Sequence, residues 1–440
     1  MAKSFRGGVH PNGRKNYTAN KPIEIAPIPQ KLFIPTRQHI GAPCAPIVKV
    51  GDLVKKGQVI AQAQAFVASP IHASTSGKVV EIADYPHPVF GSCQSIVIES
   101  DGKDEWVEGL PLARNWSEMD ASEIKDVIRD SGLVGMGGAT FPTHVKMAPP
   151  PAKPIHTFIL NGAECEPYLT ADHRLMLEQT EKVVTGMRIA MKALGVSRGY
   201  IGIEENKPDA LAALRKACEG ISGIEVVALK TKYPQGAEKT LIKVLTGSEV
   251  PSGGLPMDVG VVVQNVGTAA AIADAVQHGI PLIERVTTIS GSAIVNPRNL
   301  LFRIGTTFSD AVSYCNGFRE SPAKIIMGGP MMGMAQRTLS APIIKGTSGI
   351  LALTSSDIKV KPESSCIRCG RCVEACPMGL IPSMLSILGQ RGIYQTAKEE
   401  YDLLDCVECG SCVYVCPAKR NIVHYIKLSK AQNAALAAKK

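Results

Sequence analysis

The sequence predicts a multidomain chain of α/β plus α+β class, and three observations carry that expectation. Short β-runs separated by turns fill residues 46–100. Strand-like and helix-like segments then alternate from residue 156 to about 278. A helix-forming segment with eight cysteines in two tight runs follows from about residue 360. At roughly 150 residues per domain, 440 residues give room for about three domains. The 41 glycines and 30 prolines favour many turns and small β-rich modules over long helices.

Residues 1–30 are polar and carry Pro11, Pro22, Pro27 and Pro29, so an extended arm is expected there. The runs 47–52, 54–60 and 71–80 look like the flattened β-sandwich of biotinyl and lipoyl carrier domains. Those carriers hold their cofactor on a lysine at a hairpin tip. No lysine lies between Gly57 and Gly77, so a structural sandwich is expected, and residues 1–100 form the first unit.

Asp120, with Glu123 three residues on, has the spacing of a capping box and starts a helix that ends near Gly132. A glycine-dense loop occupies 132–138, and the proline run 149–151 marks a surface loop. Strands are expected at 157–160, 200–203, 224–229 and 260–263, with helices at 174–194, at 208–218 and after Gly267. This alternation reads as a parallel, doubly wound, Rossmann-like sheet over 115–285. Residues 286–340, with strands at 286–292 and 323–329 around a helix from Ser309, resemble a soluble-ligand-binding β-grasp (SLBB) domain. Residues 357–425 form the cysteine-bearing helical domain, and 426–440 a frayed basic tail.

The first eight residues carry charge but no apolar stretch behind them, so no targeting signal is expected. The most apolar run, 259–276, is interrupted by Gln264, Asn265 and Asp274, which suits a buried strand and helix better than a membrane span. The expectation is a chain that is cytosolic or held at a membrane by partners. A formal charge of +9 is modest for this length and reads as a solvated surface or as docking to acidic partners or anionic headgroups. No arginine-rich arm or interleaved aromatic run argues for nucleic acid.

Thirteen cysteines without an export signal point to metal rather than disulfides. Both runs follow C-x2-C-x2-C-x3-C-P. The first is Cys366, Cys369, Cys372 and Cys376 before Pro377; the second is Cys406, Cys409, Cys412 and Cys416 before Pro417. Three cysteines at this spacing wrap a turn of chain around a cubane cluster, and the fourth usually ligates the other cluster of a pair. Two four-iron, four-sulfur (4Fe-4S) clusters are therefore expected: one on Cys366, Cys369, Cys372 and Cys416, the other on Cys406, Cys409, Cys412 and Cys376. Zinc sites more often take two separated pairs of ligands, which is not this pattern. Cys44, Cys93, Cys165, Cys218 and Cys315 are scattered and read mostly as small buried hydrophobes.

The loop 132–146 is the second constellation. A helix precedes it, so it is not a dinucleotide fingerprint. Its glycines still let backbone N–H groups approach a phosphate or a flat ring, and Lys146 adds charge; a plain tight turn is the other reading. The pattern Gly135-x-Gly137-Gly138-Ala139-x-Phe141-Pro142-Thr143-x-x-Lys146 resembles the flavin loop of the NADH-oxidising flavoprotein of respiratory complex I. The segment Asn161-Gly162-Ala163-Glu164-Cys165-Glu166-Pro167 is similar to that family's Asn-Ala-Asp-Glu-x-Glu-Pro. Gly236-Ala237-Glu238 and Gln264-Asn265-Val266 resemble its Gly-Glu-Glu and Asn-Asn-Val. Ala163, Ala237 and Gln264 depart from that pattern.

The whole order of modules resembles the RnfC family, a component of the ion-translocating oxidoreductases called Rnf complexes, over nearly the full chain. Gly7-Gly8-Val9-His10-Pro11 and Gln38-His39-Ile40-Gly41-Ala42-Pro43 also match that family's start. The resemblance implies that Gly135, Gly137, Lys146, Asn161, Glu164 and Asn265 contact FMN, with Gly138 in the same loop, and that Phe141, Glu166 and Glu238 lie near NADH. It implies a peripheral protein on the cytoplasmic side of the cell membrane that passes electrons between NADH and ferredoxin through FMN and two 4Fe-4S clusters. Integral membrane and ferredoxin-like partners in the Rnf complex would couple this to Na+ or H+ movement. Two other readings stay open: a soluble flavin-dependent reductase resembling the cobalamin reductase of propanediol utilisation, and a non-catalytic electron-relay scaffold. Hydride transfer needs stacking and water exclusion rather than acid–base groups, and no Ser–His–Asp or paired-carboxylate machinery is found.

Overall fold

The computed structural model describes residues 2–358 and 362–437. At its centre lies a sheet of four parallel strands: Thr157–Gly162, Gly199–Glu204, Ile224–Leu229 and Val261–Asn265. Their spatial order is third, second, first, fourth. Helices cover both faces, which is why the first, second and fourth of these strands are near-continuous apolar runs rather than alternating ones. Helix Thr180–Leu194 packs on helix Val266–His278 so closely that a β-carbon at Gly186 would overlap the Ala269 carbonyl.

Local signals in the sequence are met. Helix Ala121–Asp130 has the Asp120–Glu123 capping box and buries Ile124 and Ile128 one turn apart. Gly195 closes Thr180–Leu194 in the left-handed conformation. The single helix expected at 174–194 is instead two, Ala171–Glu178 and Thr180–Leu194. Gln179 leaves helical geometry (φ −130°), and the Thr180 hydroxyl donates back to the Met176 carbonyl at 2.6 Å. Helix Glu238–Thr246 is an addition to the elements expected from the sequence.

The N-terminal sandwich pairs two antiparallel sheets. One holds Lys31–Pro35, Gly91–Ser100, Gly77–His87 and Leu53–Val54; the other holds Ala45–Pro46, Val59–Gln62 and Ile71–His72. Leu32, Ile34, Ile60, Ile71, Ile96 and Ile98 fill the space between them. The strand at 31–35 is a further addition, and the run 47–52 lies outside the strands, with a turn at 50–51 and with Ile47 and Val50 exposed.

Residues 2–30 do extend, but they belong to several units. Lys3 bridges to Leu229 and Val9 to Tyr233 of the central domain. Strand Ile23–Ile25 joins the edge of a fourth, six-stranded sheet beside Arg298–Arg303. That sheet continues through Glu284–Ser290, Gly349–Leu353, Lys324–Met327 and Met334–Ala335, so it runs past residue 340, where the α+β unit was expected to end.

The cysteine-bearing segment folds as short helices around two longer ones, Pro382–Gln390 and Ile422–Ala437. A β-carbon at Gly389 would sit 2.6 Å from the Tyr425 carbonyl, which fixes the crossing point. The separate tail expected from 426 is a correction: helix Ile422–Ala437 is continuous and buries Ile426, Ser429 and Asn433, while Lys439 and Lys440 lie outside the described residues. Among the described residues, no helix is long and apolar enough to cross a membrane.

Candidate functional site

The central sheet reverses its order between Thr157–Gly162 and Val261–Asn265. Crevices at the carboxyl ends of strands flanking such a reversal are where open α/β sheets bind ligands. Asn161, the penultimate residue of the first, and Asn265, the last residue of the second, pair in register. Asn161 Nδ2 donates to the Gly236 carbonyl at 2.8 Å. Asn265 Oδ1 caps helix Val266–His278 by accepting from Gly267 N at 2.8 Å, and its Nδ2 donates to Asp172 Oδ2 at 2.7 Å.

The glycine loop lies over this end. Gly135 N donates to the Phe141 carbonyl at 2.8 Å and closes the loop at its base. Met136 N donates to Thr268 Oγ1 at 2.9 Å, and Arg285 Nη2 to the Met136 carbonyl at 2.7 Å. Gly137, Gly138 and Ala139 form an exposed tip. A β-carbon at Gly137 would lie 3.6 Å from Asn265 Cβ, so the loop overhangs the asparagine. Gly138 has φ +109°, a conformation open to glycine. Lys146, on the short helix Thr143–Lys146, places Nζ 2.7 Å from Glu238 Oε1 and 3.1 Å from the Val263 carbonyl. Gly135, Gly137, Gly138, Phe141, Lys146, Asn161, Glu238 and Asn265 are thus gathered at one end of the sheet.

Glu164 and Glu166 have protein partners of their own. Glu164 (φ +43°) caps helix Ala171–Glu178, accepting from Asp172 N at 2.7 Å and His173 N at 3.2 Å. Glu166 accepts from Met331 N at 3.0 Å and Met332 N at 2.8 Å, and burial holds its carboxyl above the usual range. Two further residues went unrecognised in the sequence. Lys15, from the N-terminal arm, donates to the carbonyls of Glu164, Glu166 and Leu169 at 2.7, 3.0 and 2.6 Å. Asp172 is enclosed, and its carboxyl is pushed up to about 6 by burial and then by Glu164, against the opposing Asn265 hydrogen bond. Its place in the first turn of a helix eight residues after Glu164 was the only signal available.

The residues present suit a flavin mononucleotide. Among the described residues, no protein group takes the N–H groups of Gly137, Gly138 or Ala139. Gln235 and Gln264, which flank Gly236 and Asn265 in the chain, bury amide atoms without a partner. Buried amides of this kind call for a ligand or water. The Lys146 ammonium supplies the charge a phosphate needs.

The two cysteine runs repeat one backbone. Arg368 (φ +56°) and Glu408 (φ +58°) each donate their N–H to the first Sγ of their run, Cys366 and Cys406, at 3.4 Å. Gly370 and Gly410 then turn into the short helices Arg371–Glu374 and Ser411–Tyr414. Cys376, Cys406, Cys409 and Cys412 line one void of about 350 Å³, counting space open to solvent, walled by Pro377, Leu380, Leu385, Val423 and Ile426. The fourth cysteine of the first run therefore joins the first three of the second. Among the described residues, no three His, Cys, Asp or Glu side chains converge as the ligands of a single ion would. Burial pushes the Cys406 thiol up to about 11, so it stays a neutral thiol unless metal compensates its charge. Cys409, Cys412 and Cys416 are buried, Cys366 and Cys372 half-buried, and Cys369 exposed. Of the scattered cysteines, Cys44, Cys218 and Cys315 are buried, and Cys165 Sγ accepts from Gly236 N at 3.3 Å.

Four family models match in chain order: the RnfC barrel sandwich hybrid domain at residues 3–103, the Nuo51 FMN-binding domain at 128–274, the SLBB domain at 286–335 and the 4Fe-4S dicluster domain at 365–420. The chain is 68% identical to the C component of the proton-translocating ferredoxin:NAD(+) oxidoreductase complex of Clostridium ljungdahlii, over 99% of this chain and 95% of that one. It is 51% identical to the C component of the Na(+)-translocating complex of Acetobacterium woodii, over 98% and 97%. Among solved structures, the NAD+-reducing nickel–iron hydrogenase in its H2-reduced state is similar in fold, with TM-score 0.52 and 19% identity, over 74% of this chain and 67% of that one. On these matches the chain belongs to the RnfC family of ion-translocating ferredoxin:NAD+ oxidoreductase (Rnf) complexes.

Proposed function

We propose that this chain is the electron-input component of a membrane-bound Rnf complex, passing electrons between NADH and ferredoxin through FMN and two 4Fe-4S clusters. Its partners in the complex link that flow to Na+ or H+ movement, and the chain sits peripherally on the cytoplasmic side. In fold terms it combines a lipoyl-like sandwich, a Rossmann-like FMN/NADH domain, an SLBB β-grasp domain and a ferredoxin-like dicluster domain.

Bound FMN supplies the conversion between a two-electron hydride and one-electron carriers. The chain's own residues bind and orient. Gly137 and Gly138 offer backbone N–H groups above the turn that Gly135 closes, Lys146 offers a cation, and Asn161 and Asn265 offer amides held still by Gly236, Gly267 and Asp172. Phe141 and Glu238 border the nicotinamide side. Glu164 and Glu166 act through the backbone they hold. Cys366, Cys369, Cys372 and Cys416 hold one cluster, and Cys406, Cys409, Cys412 and Cys376 the other.

The observation that carries this reading is the register pair Asn161–Asn265 at the sheet reversal, overhung by an exposed glycine turn. Gel filtration of the purified chain with added FMN tests it. Near-stoichiometric flavin should co-elute with the native chain and be lost from Lys146→Ala while the cluster absorbance stays. Equal flavin retention by both would refute the assignment.

A further inference from the structure

Resting on that reading, we infer that the cluster held by Cys376, Cys406, Cys409 and Cys412 is the one that receives electrons from the flavin crevice, and that Tyr233 is the residue that positions it. The buried Tyr233 Oη donates to the main-chain carbonyl of Cys409 at 2.7 Å. Tyr233 lies three residues before Gly236, whose carbonyl is held by Asn161 and whose N–H is held by Cys165 Sγ. A chain of contacts therefore runs from the crevice, through Asn161, Gly236 and Cys165, to Tyr233 and into a ligand of that cluster.

The packing closes the Tyr233 end of this route to water. Val9, Tyr233, Ala375 and Cys409 form a small buried core with Cys165, Met331, Val407 and Val415 against it. The N-terminal arm clamps it. Val9 exchanges both backbone hydrogen bonds with Tyr233 at 2.8 and 2.9 Å, and Gly8 N donates to the Ala375 carbonyl at 2.9 Å. Gly7 and Gly8 both have φ +77°, and β-carbons there would press on the Cys376 and Tyr233 carbonyls at 2.7 and 2.6 Å. Only a glycine pair passes between the two domains. Among the described residues, the first three cysteines of the first run have no such cover: Cys369 and Ile367 are exposed. That run is the side from which electrons leave.

The electrons balance across the pair. One NADH gives NAD+, two electrons and a proton; each cluster takes one electron, and the proton goes to solvent. A hydroxyl donor at a ligand carbonyl favours the cluster's more negative, reduced state, because hydrogen bonds around a cluster set its potential.

The test uses the full chain with FMN and both clusters, with the electron paramagnetic resonance signals assigned by Cys366→Ser, which alters a ligand of the first-run cluster. After rapid mixing with NADH, the second-run cluster should be reduced first. In Tyr233→Phe, flavin content should be unchanged. At a fixed ambient potential, the reduced-to-oxidised ratio of the second-run cluster should fall roughly threefold, with the other cluster moving less. A first-run cluster reduced first, or a Tyr233→Phe titration that moves both clusters equally or neither, overturns the inference. A chain in which NADH reduces neither cluster, although dithionite reduces both, would sink the functional reading and the order of transfer together. The dithionite-poised Tyr233→Phe titration still decides the role of the tyrosine in that case.

Discussion

Asn161 and Asn265 face each other in register across adjacent parallel strands, and each side chain is fixed by a different neighbour, Gly236 for one and Gly267 with Asp172 for the other. Neither amide is free to rotate, so both are preorganised toward the crevice. Asn265→Ala removes an N-cap and the amide proposed to meet FMN together. The cap loss should cost about 1 kcal/mol of stability. The lost hydrogen bond should weaken FMN binding roughly tenfold. Flavin fluorescence titration and thermal melts separate the two effects, and unchanged FMN affinity would remove Asn265 from the site.

The shared void of Cys376 with Cys406, Cys409 and Cys412 makes a crossed prediction. Cys376→Ala should abolish the second-run cluster and spare the first, and Cys416→Ala should do the reverse. Iron content near half of native, together with the surviving resonance signal, reads the outcome. A Cys376→Ala chain that lost the cluster of Cys366, Cys369 and Cys372 would show the pairing to be uncrossed.

How much of this was legible in the sequence depends on distance along the chain. The Asp120–Glu123 box, the Gly195 stop and the repeated cysteine spacing are local, and each has its expected counterpart in the fold. The glycine loop stood out by its composition, whereas both asparagines were singled out only by the resemblance to the complex I flavoprotein. Lys15 could not be read: its three carbonyl partners lie 149 to 154 residues away, and nothing around it in the sequence marks a lysine that folds onto them. The arm's pairing of Ile23 with Asn299 is invisible for the same reason. The break at Gln179 was hidden because the apolar period continues across it.

Acid should loosen the N-terminal sandwich. Burial depresses His39 to about 4, His72 to about 3 and His87 to about 4 from 6.5, and the Lys345 charge adds to the effect at His39 and His72. Folded-state values below the unfolded one mean that stability is intact above pH 6.5 and is lost as pH falls toward about 4. At pH 5 each histidine should subtract about 2 kcal/mol relative to pH 7. The fluorescence of Trp106, packed 4.3 Å from Lys56, can follow the melting temperature across that range. A flat profile between pH 7 and 5 would contradict the buried neutral histidines.

Lys345 pins its own sheet domain to two others. Its Nζ donates to the Pro70 carbonyl of the sandwich at 2.9 Å and to the Gly132 carbonyl of the central domain at 2.7 Å, and burial lowers it to about 8. Lys345→Met leaves two buried carbonyls without this donor and should cost about 2–4 kcal/mol at pH 7. Removing its charge also lets His39 and His72 protonate more readily in the folded chain. Their folded values then rise toward 6.5, so less stability is lost below pH 5 than in the native chain. Differential scanning calorimetry from pH 7 to pH 4 measures both effects, and a variant as stable as the native chain at pH 7 would refute the pinning role.

In the proposed function, one chain carries hydride-derived electrons from a flavin crevice to paired clusters. Anaerobic mixing of the FMN- and cluster-loaded chain with NADH, followed by absorbance, tests it most directly. The flavin band should bleach first and the broad iron–sulfur absorbance next, to the extent dithionite achieves. Clusters that stay oxidised under excess NADH, while dithionite still reduces them, would contradict it.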